Sequence, residues 1–71
     1  MRSALMRVFV NGESRQLPDG STVADVLAIA VGDAKGVAVA VDGEVIRRGA
    51  WGEVEVVEGA AVEILTAVQG G

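Results

Sequence analysis

The stretch that decides the fold is residues 17–30, LPDGSTVADVLAIA, where the chain changes from strand to helix. It opens with a Pro-Asp-Gly turn at residues 18–20, which ends an extended segment. Thr22 then stands where a helix N-cap is expected, and Asp25 follows three residues later, as in a variant of the capping box. This pattern predicts that a helix begins directly after Thr22.

The predicted helix is amphipathic. Its apolar residues recur at i, i+3, i+4 and i+7, a spacing that places them on one stripe. Gly32 suits the position just after a helix end. The stripe can cover one face of a sheet, and it consists of Val23, Val26, Leu27 and Ala30.

The residues before the turn predict a β-hairpin. Residues 5–10 alternate about a charged residue, so the even-numbered side chains are expected to face the core while Leu5 and Phe9 share the outer face. An Asn-Gly pair at residues 11–12 tolerates the positive φ of a tight turn, and residues 13–17 return as a more polar partner strand.

The residues after the helix predict further strands. Residues 37–41, VAVAV, form an apolar run with a β-branched residue at every second position, which predicts a buried or half-buried strand. An Asp-Gly pair at residues 42–43 predicts a second hairpin, with a short return strand over residues 44–46. Trp51 is expected to plug the core from a loop, and residues 53–57 to form a short extended piece.

The last strand is predicted over residues 61–67. Glu63 marks its solvent side, so Leu65 is expected to point outward with it while Val62 and Ile64 point inward. The whole order of elements is β-β-α-β-β-(short β)-β. A final strand placed beside the first would run parallel to it, and a single helix would cover one face of the sheet, which predicts an α+β two-layer sandwich.

The uncovered face of that sheet would display Phe9 and Leu65 together, with Leu5 and Ala67 at the margin. Exposed apolar patches of this kind usually mark sites for partner proteins. The alternative is that one or both of the large side chains fold under a loop and complete the core.

Composition restricts the functions open to the chain. The 71 residues predict one domain over residues 1–71, with residues 1–5 either a disordered overhang or the product of an upstream start codon. There is no Cys and no His, so the commonest nucleophile, proton shuttle and zinc ligands are missing, and we expect neither catalysis nor a bound metal or cofactor.

Charge and hydropathy restrict the partners. Six Lys and Arg residues against ten Asp and Glu residues give a formal net charge of −4, which repels nucleic acid and anionic membrane surfaces. No apolar run approaches the length of a membrane span, and no export signal is recognisable. We therefore expect a cytoplasmic protein that is a monomer when free.

The chain ends in Val68, Gln69, Gly70 and Gly71, which are expected to form a flexible tail over residues 68–71. A pair of terminal glycines occurs by chance in roughly 0.5% of chains, so the pair alone is only suggestive. A frayed terminus of small residues is the simplest interpretation of this segment taken by itself.

From residue 6 onward the sequence resembles the ubiquitin-like β-grasp sulfur carriers, and most closely the ThiS family of thiamin biosynthesis. The resemblance is carried by an ordered set of segments, each weak on its own: VFVNGE at residues 8–13, LPDGSTVADVL at 17–27, VAVAVDGEVI at 37–46, the Trp51 loop, and VEILTAVQGG at 62–71. The resemblance implies a β-grasp fold in which the first and last strands are parallel and central.

The resemblance also implies a function without catalysis by the chain itself. A ThiF-like enzyme would use ATP to adenylate the Gly71 carboxylate, and a persulfide sulfur donor would displace AMP to leave a thiocarboxylate. Thiazole synthase would then receive the sulfur and build the thiazole ring of thiamin. Gly71 would be the reactive site, while Gly70, Gln69 and Val68 would give access to it.

Three other functions stay open on the sequence. One is another sulfur carrier on the same fold, such as the small subunit of molybdopterin synthase, although residues 65–69 lack the aromatic residue and the prolines of that family's tail. A second is a ubiquitin-like modifier, in which Gly71 would form isopeptide bonds with lysines of other proteins. A third is an interaction domain with an inert tail.

Overall fold

The computed structural model describes residues 4–32 and 35–66. Its five strands are β1 Leu5–Val10, β2 Glu13–Pro18, β3 Val37–Val41, β4 Glu44–Ile46 and β5 Ala61–Thr66, and its α-helix is α1 Val23–Ala30. A short 3-10 turn spans Arg48–Ala50. The predicted strands and helix are confirmed to within a residue at each described end, and the end predicted for β5 at Ala67 lies outside the described residues.

The described strands form one mixed sheet in the order β2-β1-β5-β3-β4. β1 and β5 run parallel at its centre, where Phe9 lies opposite Ala61 and Val10 opposite Val62. The other neighbouring strands pair in antiparallel fashion. The predicted α+β architecture, with parallel and central first and last strands, is therefore confirmed.

The core lies between α1 and one face of the sheet. Burial alternates strictly along β1, where the even-numbered side chains are buried and the odd-numbered ones exposed, because successive side chains of a strand point to opposite faces. Val23, Val26 and Leu27 of the helical stripe are buried, and Ala30 packs against the same core. The helix thus covers one sheet face and leaves the other open.

Hydrogen bonds from side chains and from another segment of the chain satisfy the backbone N–H groups at the N-terminus of α1. Thr22 and Asp25 form the predicted capping box: the Asp25 N–H donates to Thr22 Oγ1 at 3.2 Å, and the Thr22 N–H donates to Asp25 Oδ2 at 2.9 Å. The N–H groups of Val23 and Ala24 donate to the carbonyl oxygens of Val54 and Trp51. Unpaired first-turn donors are a cost at helix ends, so these bonds fix where the helix starts.

Two segments differ from the sequence-based predictions. Residues 53–57 do not form a strand, and only Glu55 makes an isolated bridge, with Thr22. At the N-terminus, Leu5 begins β1 and the Ala4 carbonyl accepts a hydrogen bond from the Asp19 N–H. Residues 4 and 5 therefore belong to the fold rather than to an overhang, and residues 1–3 lie outside the described part.

Candidate functional site

The open face of the sheet carries exposed apolar side chains. Phe9 is 38% exposed and Leu65 is 68% exposed, so neither completes the core under a loop. Both belong to the odd-numbered set that points away from the helix, as the alternation of β1 and β5 predicts. When a partner covers an exposed apolar side chain of this size and removes it from water, the free energy of the system falls, which favours binding.

The structure brings some of the predicted patch residues together. Phe9 and Leu65 line one surface groove, which Asn11 and Glu63 also line. Leu5 does not line this groove. It lies four residues before Phe9, about 13 Å along the strand direction, at the end of the sheet farther from Leu65. Ala67 lies outside the described residues.

The sequence did not indicate one further apolar residue on this face. Val45 of β4 is 75% exposed, and it lies opposite Ala40, which in turn lies opposite Glu63. Residues paired across a sheet share a face, so Val45 points to the same side as Leu65. Its position depends on the register of two strand pairs, which no local pattern reveals.

The predicted reactive residues Gly71, Gly70, Gln69 and Val68 all lie outside the described residues. What the structure describes is the strand that leads to them. β5 ends at Thr66, and it is paired with β3 up to that end, from Val41 opposite Val62 to Val37 opposite Thr66. A central strand of the sheet thus brings the chain to the predicted site.

Two turn residues hold β5 through their side chains. On the β1 side, Asn11 accepts a hydrogen bond from the Ile64 N–H on its Oδ1 at 2.8 Å, and its Nδ2 donates to the Ile64 carbonyl at 3.2 Å. On the β3 side, Asp42 Oδ1 accepts from the Ala61 N–H at 2.9 Å. Asn11 and Asp42 each have a φ of 51°, a left-handed conformation that Asn and Asp tolerate best among non-glycine residues.

Trp51 completes the core beside β4, an edge strand of the sheet, and thus has the core role that was predicted. It is 8% exposed, and its Nε1–H donates to the Ile46 carbonyl at 2.9 Å. The Arg48 guanidinium lies 5.3 Å from the centre of its ring, within the range of a cation–π contact. These contacts bury the indole, so Trp51 acts as part of the core.

Acidic clusters that could bind a metal ion are absent from the described part of the chain. No group of three or more Asp and Glu side chains there is arranged to hold a metal ion, and the sequence has no His or Cys. Over the same residues, no helix is long and apolar enough to span a bilayer.

The fold places the chain in a structural class. A single helix packed on a five-stranded mixed sheet, with the first and last strands parallel at its centre, is the ubiquitin-like β-grasp architecture. The model of the ThiS family matches residues 8–71, nearly the whole chain. The chain therefore belongs to the ThiS family of sulfur carriers.

A solved structure agrees with this assignment. The crystal structure of a thiamine biosynthesis protein (ThiS) from Geobacter metallireducens is 35% identical in sequence, and the two superpose with a TM-score of 0.79. The match covers 93% of this chain and 100% of the other. No curated protein sequence matches the chain significantly.

Proposed function

We propose that this protein is a sulfur carrier of thiamin biosynthesis whose reactive group is the carboxylate of Gly71. The observation that carries the proposal is the match to the ThiS family through residue 71, which includes the Gly-Gly pair. The similarity to the Geobacter thiamine biosynthesis protein supports the pathway. The domain itself would act as a carrier, and partner enzymes would perform the chemistry.

The first step would be adenylation by a ThiF-like enzyme. A carboxylate is a poor acyl donor, so one of its oxygens attacks the α-phosphorus of ATP, pyrophosphate leaves, and an acyl adenylate forms. Such a reaction needs a phosphate-binding site that holds both reactants in line. Gly70 and Gly71 suit the approach to the nucleotide, because without a Cβ the backbone can pass through a narrow channel in any conformation.

Sulfur would enter in the second step. The terminal sulfur of a persulfide on the donor enzyme attacks the acyl carbon, and AMP leaves. The product is an acyl disulfide that keeps the S–S bond of the persulfide. A second thiol of the donor then cleaves this S–S bond, forming a disulfide with the donor sulfur and releasing the thiocarboxylate of Gly71. Thiazole synthase would accept this sulfur. The carrier contains no Cys, so every thiol in these steps belongs to a partner.

Geometry sets the reach of the tail. Residues 68–71 can span at most about 13–14 Å when extended, at 3.3–3.6 Å per residue. That length allows the carboxylate to enter a neighbouring active site while the folded domain stays outside. The flexible tail predicted from the sequence would lose conformational entropy on binding, which favours a transient complex over a permanent one.

The open sheet face would supply the docking surface for the partner enzymes. Phe9 and Leu65 are exposed apolar side chains that line one groove, and Leu65 lies one residue before the last residue of β5. Val45 extends the apolar surface across β3 to β4, and Ala67 would extend it toward the tail. A partner that covers this face would hold the folded domain while its active site receives residues 68–71.

The decisive experiment is intact mass measurement of the protein after incubation with ATP, a ThiF-like activating enzyme and a persulfide donor. We expect the mass gain of one oxygen-to-sulfur exchange, located at Gly71 by fragmentation. The matched control omits ATP and should leave the mass unchanged. An unchanged mass under conditions that convert an established carrier would contradict the proposal, and lysine adducts on other proteins would favour a modifier instead.

A further inference from the structure

The parallel pairing of β1 and β5 stops before β5 ends. The N–H groups of Phe9 and Asn11 donate to the carbonyls of Ala60 and Val62, both at 2.8 Å. Ile64 is next in this series, but the chain has already turned away at Gly12. The backbone of β1 therefore cannot supply the partners that the N–H and C=O groups of Ile64 require on this side.

The side chain of Asn11 takes the place of the missing backbone. Its amide carries one acceptor and one donor, as a peptide group does, and it uses both on Ile64, at 2.8 Å and 3.2 Å. Residues 11 and 64 are 53 positions apart in sequence. The side chain of Asn11 therefore extends the β1–β5 pairing by one further pair.

This pair lies where the sheet narrows. At the level of Ile64 the sheet still includes Val39 of β3 and Ile46 of β4. Beyond it, among the residues that the structure describes, only the β3–β5 pairs Ala38–Leu65 and Val37–Thr66 remain. Among the described residues, the hydrogen bonds at Ile64 are therefore the last that connect β5 to the β1 side of the sheet. A two-stranded ribbon is only marginally stable by itself, so these bonds matter for the order of the end of β5.

We propose that Asn11 is a positioning residue: by holding Ile64 it fixes the described end of β5 at Thr66 and hence the direction in which the chain continues toward a partner's active site. The inference rests on the proposed function, because only a tail that must enter another enzyme benefits from a fixed direction. Without the Asn11 bonds, residues 64–66 would be held by β3 alone. These residues would then sample more conformations in the free carrier. Binding in the one geometry that brings the carboxylate to the nucleotide would therefore cost more conformational entropy.

The test compares Asn11→Gly with Asp42→Gly. Both substitutions act at a residue with a φ of 51° in a turn, where glycine is tolerated, and both remove side-chain hydrogen bonds to β5. Asp42 holds Ala61 at the start of β5, and Asn11 holds Ile64 near its end. The pair therefore separates a general loss of stability from a loss of order next to the tail.

The first measurement is amide hydrogen exchange by NMR, which needs no partner. We expect N11G to speed exchange at Ile64, and at Leu65, whose N–H faces β3, about fivefold or more relative to the wild type, as the loss of about 1 kcal/mol in local opening energy would do. D42G should speed exchange at Ala61 and leave Ile64 and Leu65 near their wild-type values. Equal exchange at Ile64 in N11G and wild type would overturn the inference.

The second measurement is the rate of adenylation by the activating enzyme at varied carrier concentration. We expect N11G to lower kcat about fivefold with KM changed less than twofold, because the folded domain still docks but its tail reaches the nucleotide less often. D42G should keep both constants. A raised KM at unchanged kcat would assign Asn11 to docking, since it also lines the groove, and would overturn the positioning role.

A third variant, Asn11→Asp, keeps the turn and the bond from the Ile64 N–H but, while ionised, cannot donate to the Ile64 carbonyl. We expect its kcat to fall with that of N11G, and a wild-type kcat for N11D would contradict the need for both bonds. If the wild-type carrier is not adenylated at all, the proposed function fails and the positioning role fails with it. The exchange measurement would then still show whether Asn11 holds β5.

Discussion

Under the proposed function, single residues on the open sheet face would decide how tightly a partner enzyme binds the domain. Phe9 and Leu65 are exposed on that face, whereas Ile29 is similarly exposed, at 54%, on the helix at the opposite side of the molecule. These three side chains allow the docking surface to be tested with a control of the same chemical type.

We expect F9A and L65A each to weaken binding to the ThiF-like enzyme about fivefold to tenfold, because each removes about 1–1.5 kcal/mol of apolar contact. I29A should bind like the wild type. Isothermal titration with the activating enzyme measures the dissociation constants, and circular dichroism checks that all three variants fold. Weaker binding by I29A but not by L65A would place the docking surface on the helix side instead.

Trp51 is expected to contribute strongly to the stability of the fold, because it fills the core beside β4. W51F would remove the indole N–H that donates to the Ile46 carbonyl and would leave part of the buried volume empty. We expect it to lower the free energy of unfolding by about 2–3 kcal/mol, measured by urea denaturation. V57A, at a side chain 63% exposed, is the control and should change stability by less than about 0.5 kcal/mol. A loss below 1 kcal/mol for W51F would show that neither the bond nor the packing matters.

At the scale of elements, the N-terminus of α1 couples the helix to the segment that precedes β5. Thr22 caps the helix through its hydroxyl and also bridges to Glu55, while the Val56 N–H donates to the Ser21 carbonyl. The helix start and residues 54–56 therefore hold each other in place.

The matched pair Thr22→Ala and Thr22→Ser isolates the capping hydroxyl. T22A loses the acceptor for the Asp25 N–H, and we expect it to lower the free energy of unfolding by about 1 kcal/mol, within the 0.5–2 kcal/mol measured for such caps. T22S keeps the hydroxyl and should lose less than half as much. Urea denaturation of both variants gives the comparison, and equal losses would mean that the methyl group rather than the cap stabilises this turn.

The elements with strong local signals were predictable from sequence. The alternation of β1, the Asn-Gly and Asp-Gly turns and the Thr22–Asp25 cap each depend on residues within a few positions of one another, so each element was identified correctly. Residues 53–57 were predicted as a short extended piece, counted as a short strand in the order of elements. The N–H groups of residues 53 and 54 donate to the Ala50 carbonyl instead. The Val54 carbonyl and the Val56 N–H bond to the segment that starts the helix, which a local pattern cannot show.

The same reason explains what sequence revealed about the candidate site. Exposure of Phe9 and Leu65 followed from strand alternation, whereas the place of Val45 on the same face required the register of β3 with both neighbours. Asn11 was recognised only as a turn residue, because its second role depends on a contact with Ile64 across 53 positions. Features that depend on neighbouring residues could be predicted from the sequence, whereas contacts between strands that are distant in the sequence could not.

At the scale of the whole molecule, stability and the proposed chemistry reside in separate parts. Among the residues that the structure describes, the buried core residues lie between Met6 and Ile64, and the proposed reactive group lies at Gly71, seven residues further on in the sequence. A change at the tail should therefore alter activation without altering the free energy of unfolding.

Adding a short Ser-Gly extension after Gly71 tests this separation. The extension replaces the proposed reactive carboxylate with a peptide bond and moves the new carboxylate beyond the position that the activating enzyme's site would require. We therefore expect adenylation to fall by more than about 100-fold, because rates depend steeply on placement. The urea midpoint should stay within error of the wild type, because no core residue is touched. The same extension placed before Met1 is the control and should leave adenylation intact. Pyrophosphate release measures the rate, and an extended protein that is adenylated as fast as the wild type would show that the Gly71 carboxylate is not the reactive group.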